Sequence, residues 1–196
     1  MSSNNKITDT QFACWTGKFQ PAHIGHMAIL KHSLGVLRLP HVCILTTYFG
    51  WISADTDYEQ HAKDSYASHR NPFTVWERYM LLELGIEGLC LNSKISIIVA
   101  PRHDWNWEIV SHFYPPNRII CLTNKDEFEF SKARIWTKRG ENVRILDVSQ
   151  LSPPLITTTE MKRRISSGEC WKKFMPESTH KYFESIRGPS RLFGIQ

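Results

Sequence analysis

His23 and His26 stand three residues apart with Gly25 between them, and Lys18 precedes them by a short turn that also holds Gly17, Phe19, Gln20 and Pro21. Imidazole and ammonium groups gathered with no acidic residue among them suit an anion. An apolar run at 12–15 leads into the turn, and residues 27–37 repeat their apolar positions at helical spacing. Strand, glycine-containing turn and helix is the layout that aims a helix N-terminus at phosphate. A helix beginning near Ile24 puts His23 at the N-cap and His26 in the first turn. Residues three apart share a helix face, so both rings are expected to point to one place. The free N–H groups and positive dipole end of the helix add to the anion site. Gly25 is expected to leave the space between the rings clear for a bulky ligand. The plainer alternative is two surface histidines opening a helix. Gly17, Lys18, Gln20 and Pro21 beside them favour a triphosphate cradle.

A second arrangement of the same kind lies late in the chain. Ile156 is followed by Thr157, Thr158, Thr159 and Glu160, then by Lys162, Arg163 and Arg164. Hydroxyls and amides at a helix start meet phosphate oxygens, and the cations behind them neutralise charge. A threonine cap before a solvated basic face is the ordinary alternative. The reading that unites the two stretches is that they converge on a single bound triphosphate.

Residues 17–26 resemble the first signature of the nucleotidylyltransferase superfamily, His-x-Gly-His after a Gly-(Arg/Lys)-Phe turn. Residues 156–165 resemble the second, Ile-Ser-x-Thr-x-x-Arg, with Lys162 where the motif has arginine. Lysine keeps that charge and loses the bidentate fork; Arg163 next to it is a candidate to compensate. The stretch Asn71, Pro72, Phe73, Thr74, Glu77 and Arg78, and the basic extension after Glu160, make the likeness closest to archaeal-type nicotinamide-nucleotide adenylyltransferases. It runs from about residue 12 to 192, except for 48–70. There, Thr46, Thr47, Tyr48, Phe49, Gly50 and Trp51 stand where the family has a Gly-Ser-Ala-Gln-like turn.

The resemblance implies ATP bound by Gly17, Phe19, Gln20, Gly25, Thr123, Asn124 and residues 156–159. It implies catalysis by His23, His26, Lys18, Lys162 and Arg163. An acceptor would lie against Asn106, Arg78 and one of Trp105 and Trp107, the other indole being core. For Arg78 itself, a buried structural ion pair and a ligand contact are equally open readings. No resident metal site is implied, because Mg²⁺ would ride on the nucleotide. The expected reaction gives NAD and pyrophosphate from ATP and nicotinamide mononucleotide (NMN). Other acceptors such as pantetheine phosphate, CTP as donor, and a nucleotide-binding protein without catalysis are the alternatives.

Further strands read at 41–47, 95–100, 117–124 and 142–148, each a short apolar run. Between them lie helical patterns at 75–84, stopped by Gly85, after Asp104, and at 126–139, stopped by Gly140. Strands alternating with helices predict an α/β, Rossmann-like, doubly wound sheet of five parallel strands with C-terminal helices. One domain over 1–196 is expected, with residues 1–9 frayed and 48–70 a long loop.

A net charge of +5, from 24 Lys+Arg against 19 Asp+Glu, favours small anions and is too modest to argue for nucleic acid. Cys14, Cys43 and Cys121 sit in apolar runs, and Cys90 and Cys170 lie far from them. That pattern reads as free thiols in a reducing compartment. No apolar leader or membrane-length run is visible, so a cytoplasmic protein is expected. A homo-oligomer is left open.

Overall fold

The computed structural model describes residues 10–47, 71–103, 106–149, 151 and 155–193. The expected frayed end at 1–9, the 48–70 loop and Trp105 lie outside the described residues. Five strands, β1 Phe12–Gly17, β2 His41–Thr47, β3 Ile95–Pro101, β4 Arg118–Thr123 and β5 Val143–Leu146, form one sheet of order β3-β2-β1-β4-β5. Every pairing is parallel. The chain winds outward from β1 to β3, then returns to the other side of β1 for β4 and β5. The switch point therefore falls between β1 and β4, and in open α/β sheets ligands bind at the carboxyl ends of such strands.

Parallel strands are covered on both faces, and all seven residues of β2 are buried. Alternate residues serve opposite layers. Ala13, Trp15, Cys43, Leu45 and Cys121 face a core built with α1 (Ile24–Leu37), α2 (Val75–Gly88) and the C-terminal helices. Cys14, Val42, Ile44, Ile120 and Leu122 face a second core with α3 (Trp107–Val110) and α4 (Glu127–Lys138). The thiols of Cys14, Cys43 and Cys121 are buried and free, and burial holds all three well above the usual thiol range.

Two helices differ from the pattern in the sequence. Gly85 does not end α2, which continues to Gly88. It is buried inside the helix, and a Cβ there would lie 3.0 Å from the Met27 sulfur. Its role is to let α1 and α2 approach. The helix expected after Asp104 is a single described turn, α3, capped by Asn106, whose Oδ1 accepts from the Ile109 amide at 3.3 Å.

The chain ends in α5 (Thr158–Ser166), two 3₁₀ turns, α6 (His180–Ser185) and α7 (Gly188–Phe193). Arg191 on α7 donates to both oxygens of Glu77 at 2.6 and 2.9 Å, reaches the Pro72 carbonyl, and lies over the Phe73 ring. The tail thereby holds the segment that opens α2. Among the described residues no helix is long and apolar enough to cross a membrane.

Candidate active site

The first arrangement is assembled by the helix start itself. His23 is the N-cap of α1, with extended backbone. Its Nδ1 accepts from the Gly25 amide at 3.1 Å, and His26 Nδ1 accepts from the His23 amide at 3.3 Å. This is a capping box in which imidazoles do the work usually given to Ser/Thr and Glu. The rings lie 4.0 Å apart between centroids. His23 is buried, and the Phe19 ring, held by a left-handed backbone at φ 47°, packs 5.1 Å from His26.

Those hydrogen bonds assign the tautomer. A neutral imidazole that accepts at Nδ1 carries its proton on Nε2. Among the described residues no hydrogen bond occupies either Nε2, so each ring keeps one N–H to donate. Burial lowers the basicity of both rings. The neighbouring His26 and then Lys125 lower His23 further, while Lys125 alone adds to burial at His26, which falls to about 3. Both are neutral donors at neutral pH.

The second arrangement opens α5. Thr157 is its N-cap, its hydroxyl accepting from the Glu160 amide at 3.2 Å. Thr157 and Thr159 are exposed, Thr158 and Lys162 partly so, while Ile156, Met161 and Ile165 anchor the stretch in the first core. Arg163 makes a bidentate pair with Glu160 at 2.8 and 2.7 Å and is largely exposed.

One contact joins the two. A Cβ built on Gly25 would lie 2.2 Å from the Ile156 carbonyl oxygen and 2.9 Å from the His23 ring. The starts of α1 and α5 therefore abut, backbone against backbone. This corrects the expected role of Gly25: the space beside its Cα is filled by the protein's own second motif and is not open to a ligand. Glycine is required because that carbonyl arrives there.

The turn between β1 and α1 is tied from beneath. Arg78 is buried, and its guanidinium donates to the Lys18 carbonyl at 2.7 Å and the Thr46 carbonyl at 2.9 Å. Thr46 donates to the Gly17 carbonyl and Thr47 to the Ala100 carbonyl, both at 3.2 Å. The unusual threonine pair thus laces together the ends of β1, β2 and β3. Gln20 is buried, with its amide nitrogen on the Phe73 carbonyl at 3.3 Å.

Beyond β4 the predicted residues are engaged by the fold. Thr123 donates from its amide and hydroxyl to buried Glu129, which also pairs with Lys132. Asn124 donates to Asp147 at 2.8 Å and accepts from the Val148 amide at 3.0 Å, clamping β4 to the turn after β5. Trp107 is half-buried against the second core, while Trp105 lies outside the described residues. Trp107 packs edge-on against Trp136 and Tyr114 with Arg118 and Arg139 over its ring, which removes it as a free stacking platform. Lys125, close enough to lower both imidazoles, was not picked out by sequence reasoning. It lies between two predicted residues and the α4 pattern, and only the strand order brings it to the histidines.

No protein-family model matches the chain. It is 27% identical over 184 residues to the nicotinamide-nucleotide adenylyltransferase of Pyrococcus furiosus, covering 91% of this chain and 85% of that one. The enzyme of the same name from Archaeoglobus fulgidus is 25% identical over 190 residues, covering 93% and 96%. That from Saccharolobus solfataricus is 27% identical over 188 residues, covering 91% and 92%. Among solved structures, one assigned as a nicotinate-nucleotide adenylyltransferase from Vibrio parahaemolyticus superposes with a TM-score of 0.55 at 12% identity, covering 95% and 97% of the two chains. The fold is thus that of a nucleotide adenylyltransferase, and across most of its length the chain is similar to archaeal nicotinamide-nucleotide adenylyltransferases.

Proposed function

We propose that the protein is an adenylyltransferase that joins the AMP moiety of ATP to NMN, giving NAD and pyrophosphate. The observation that carries this reading is the abutment of Gly25 on Ile156. It brings two helix N-termini, two neutral imidazole donors and the Thr157–Lys162 stretch to one place beside the sheet's switch point. Relatives named for this activity, aligned over more than nine-tenths of the chain, support the choice of acceptor.

In the proposed reaction an oxygen of the NMN 5′-phosphate forms a bond to the α-phosphorus of ATP as the bond from that phosphorus to the bridging oxygen of pyrophosphate breaks. The phosphate dianion is already nucleophilic, so the protein need not remove a proton. Catalysis is then positioning and stabilisation of charge shifting onto the leaving pyrophosphate. His23 and His26 donate through Nε2. Gly17, Lys18, Phe19 and Gln20 form the turn beneath the phosphates. Thr157, Thr158, Thr159 and Lys162 meet the β- and γ-phosphates, and Arg163 joins them on leaving Glu160. Thr123 and Asn124, their side chains and backbone amides engaged by the fold, shape the adenosine end without donating to it, while Arg78 fixes the Lys18 turn. Asn106 and Trp105 belong to the acceptor side. Mg²⁺ enters as part of the substrate, bound to the triphosphate.

The test is direct. Incubated with MgATP and NMN, the purified protein should release pyrophosphate and form NAD in equal amounts. Pyrophosphate with a different phosphorylated acceptor, and none with NMN, would keep the chemistry and replace the acceptor. ATP binding without pyrophosphate under any acceptor would reject the enzyme.

A further inference from the structure

We infer that Lys125 is a further cation for the nucleotide's triphosphate, reaching the histidine pair from across the switch point of the sheet. The inference deepens the proposed reaction and rests on it. Parallel pairing sets Trp15 beside Cys121, so the same register carried to the strand ends sets Gly17 beside Thr123. The chain leaving β1 builds the Lys18 turn and the imidazole cap; the chain leaving β4 reaches Lys125 two residues later. Both exit into the crevice where the strand order reverses.

The fold uses the side chains on either side of Lys125 and leaves its own nearly unspent. Thr123 is bonded to Glu129, and Asn124 to Asp147 and Val148. Asp126 caps α4 through the Glu129 amide at 2.9 Å. The short turn is therefore fixed at both ends. Among the described residues Lys125 makes one long ion pair, 3.9 Å to the second oxygen of Asp126, with a third of its side chain exposed. A surface pair of that kind holds a lysine weakly. The field of its ammonium reaches both imidazoles, after the larger effect of burial on each. Two neutral N–H donors and a cation around one opening form a set that a polyphosphate satisfies and a neutral ligand does not.

The measurement pairs Lys125→Ala and Lys125→Arg with the wild type, in turnover with MgATP and NMN and in calorimetric binding of inorganic triphosphate. The expected result is a loss of about tenfold or more in kcat/KM for ATP and in triphosphate affinity for the alanine variant. KM for NMN and the thermal midpoint should stay near wild type, and the arginine variant should recover most of the loss. Wild-type turnover with an alanine variant within about twofold in both assays would overturn the assignment. A wild type that binds triphosphate but turns over no acceptor would refute the reaction alone, and the affinity ratio would still decide Lys125. A wild type that neither binds nor turns over would sink both.

Discussion

The starts of α1 and α5 abut, yet they are built on opposite principles. At α1 the donors are neutral and pinned, His23 buried and His26 half-buried: each imidazole has its Nδ1 tied to a backbone amide and its partner ring 4.0 Å away. At α5 the groups are hydroxyls and cations, partly to fully exposed, and Arg163 is paired with Glu160 across solvent. The first arrangement is preorganised and pays no reorganisation when charge develops. The second has long side chains that must exchange one partner for another, and such contacts are weaker and screened by salt. For the proposed reaction, the contrast predicts that α1 serves the transition state and α5 grips the departing pyrophosphate.

The sharpest way to break that contrast is His26→Ala. Losing one preorganised donor costs on the order of 3 kcal/mol of transition-state stabilisation. Turnover measured as pyrophosphate release should fall about a hundredfold or more. Only one arm of the capping box goes, so the thermal midpoint should drop by a few degrees at most. A variant with near-wild-type turnover would remove His26 from the chemistry.

Gly25→Ala tests whether the two regions must touch. Its Cβ would meet a carbonyl oxygen at 2.2 Å, a backbone atom that no rotamer change can move. Overpacking of this kind costs about 1–3 kcal/mol. The variant should unfold at lower temperature and lose at least about tenfold in turnover as α5 is pushed away. Unchanged activity would show that the abutment is not needed.

Within α5, Lys162→Ala should weaken pyrophosphate binding by about tenfold, whereas Arg163→Ala, already spent on Glu160, should cost about threefold or less. Competition by pyrophosphate in the forward assay measures both. The reverse order would make Arg163 the motif cation and Lys162 the bystander.

The smallest effect concerns pH. His26 has a folded value of about 3, and His23 also lies far below the usual range. Neither titrates near neutrality, so turnover between about pH 6 and 8 should not follow a histidine curve. Stability should. With the folded pKa lowered, the unfolded chain binds more protons from about pH 6.5 down to about 3, so stability is complete above that window and lost as pH falls through it. Half-buried His103, also at about 3, adds to the same trend. Thermal midpoints measured from pH 7 to 4 check this; a midpoint that does not fall would contradict it.

Much of this could be read from the chain because it is local. Helical spacing after a cap placed His23 and His26 together, and Thr74 with Glu77 announced the start of α2. Apolar runs alternating with helical patterns implied five parallel strands, which the sheet has. Gly85 misled because a glycine that lets two helices pack looks the same in sequence as one that ends a helix. Trp105 and Trp107 were indistinguishable for a similar reason, since an indole's propensity does not say which layer it enters. The order of β1 and β4, the Ile156 carbonyl against Gly25, the grip of Arg78 on two carbonyls and the reach of Lys125 were all invisible. Each joins residues from 32 to 131 positions apart, a separation over which spacing carries no information. The sequence by itself determined which residues cap which helices and which runs pair as strands, because those choices are settled within a few residues. Only the tertiary structure decided that two distant helix starts share one site, because that depends on strand order and on a backbone contact that only a missing Cβ allows.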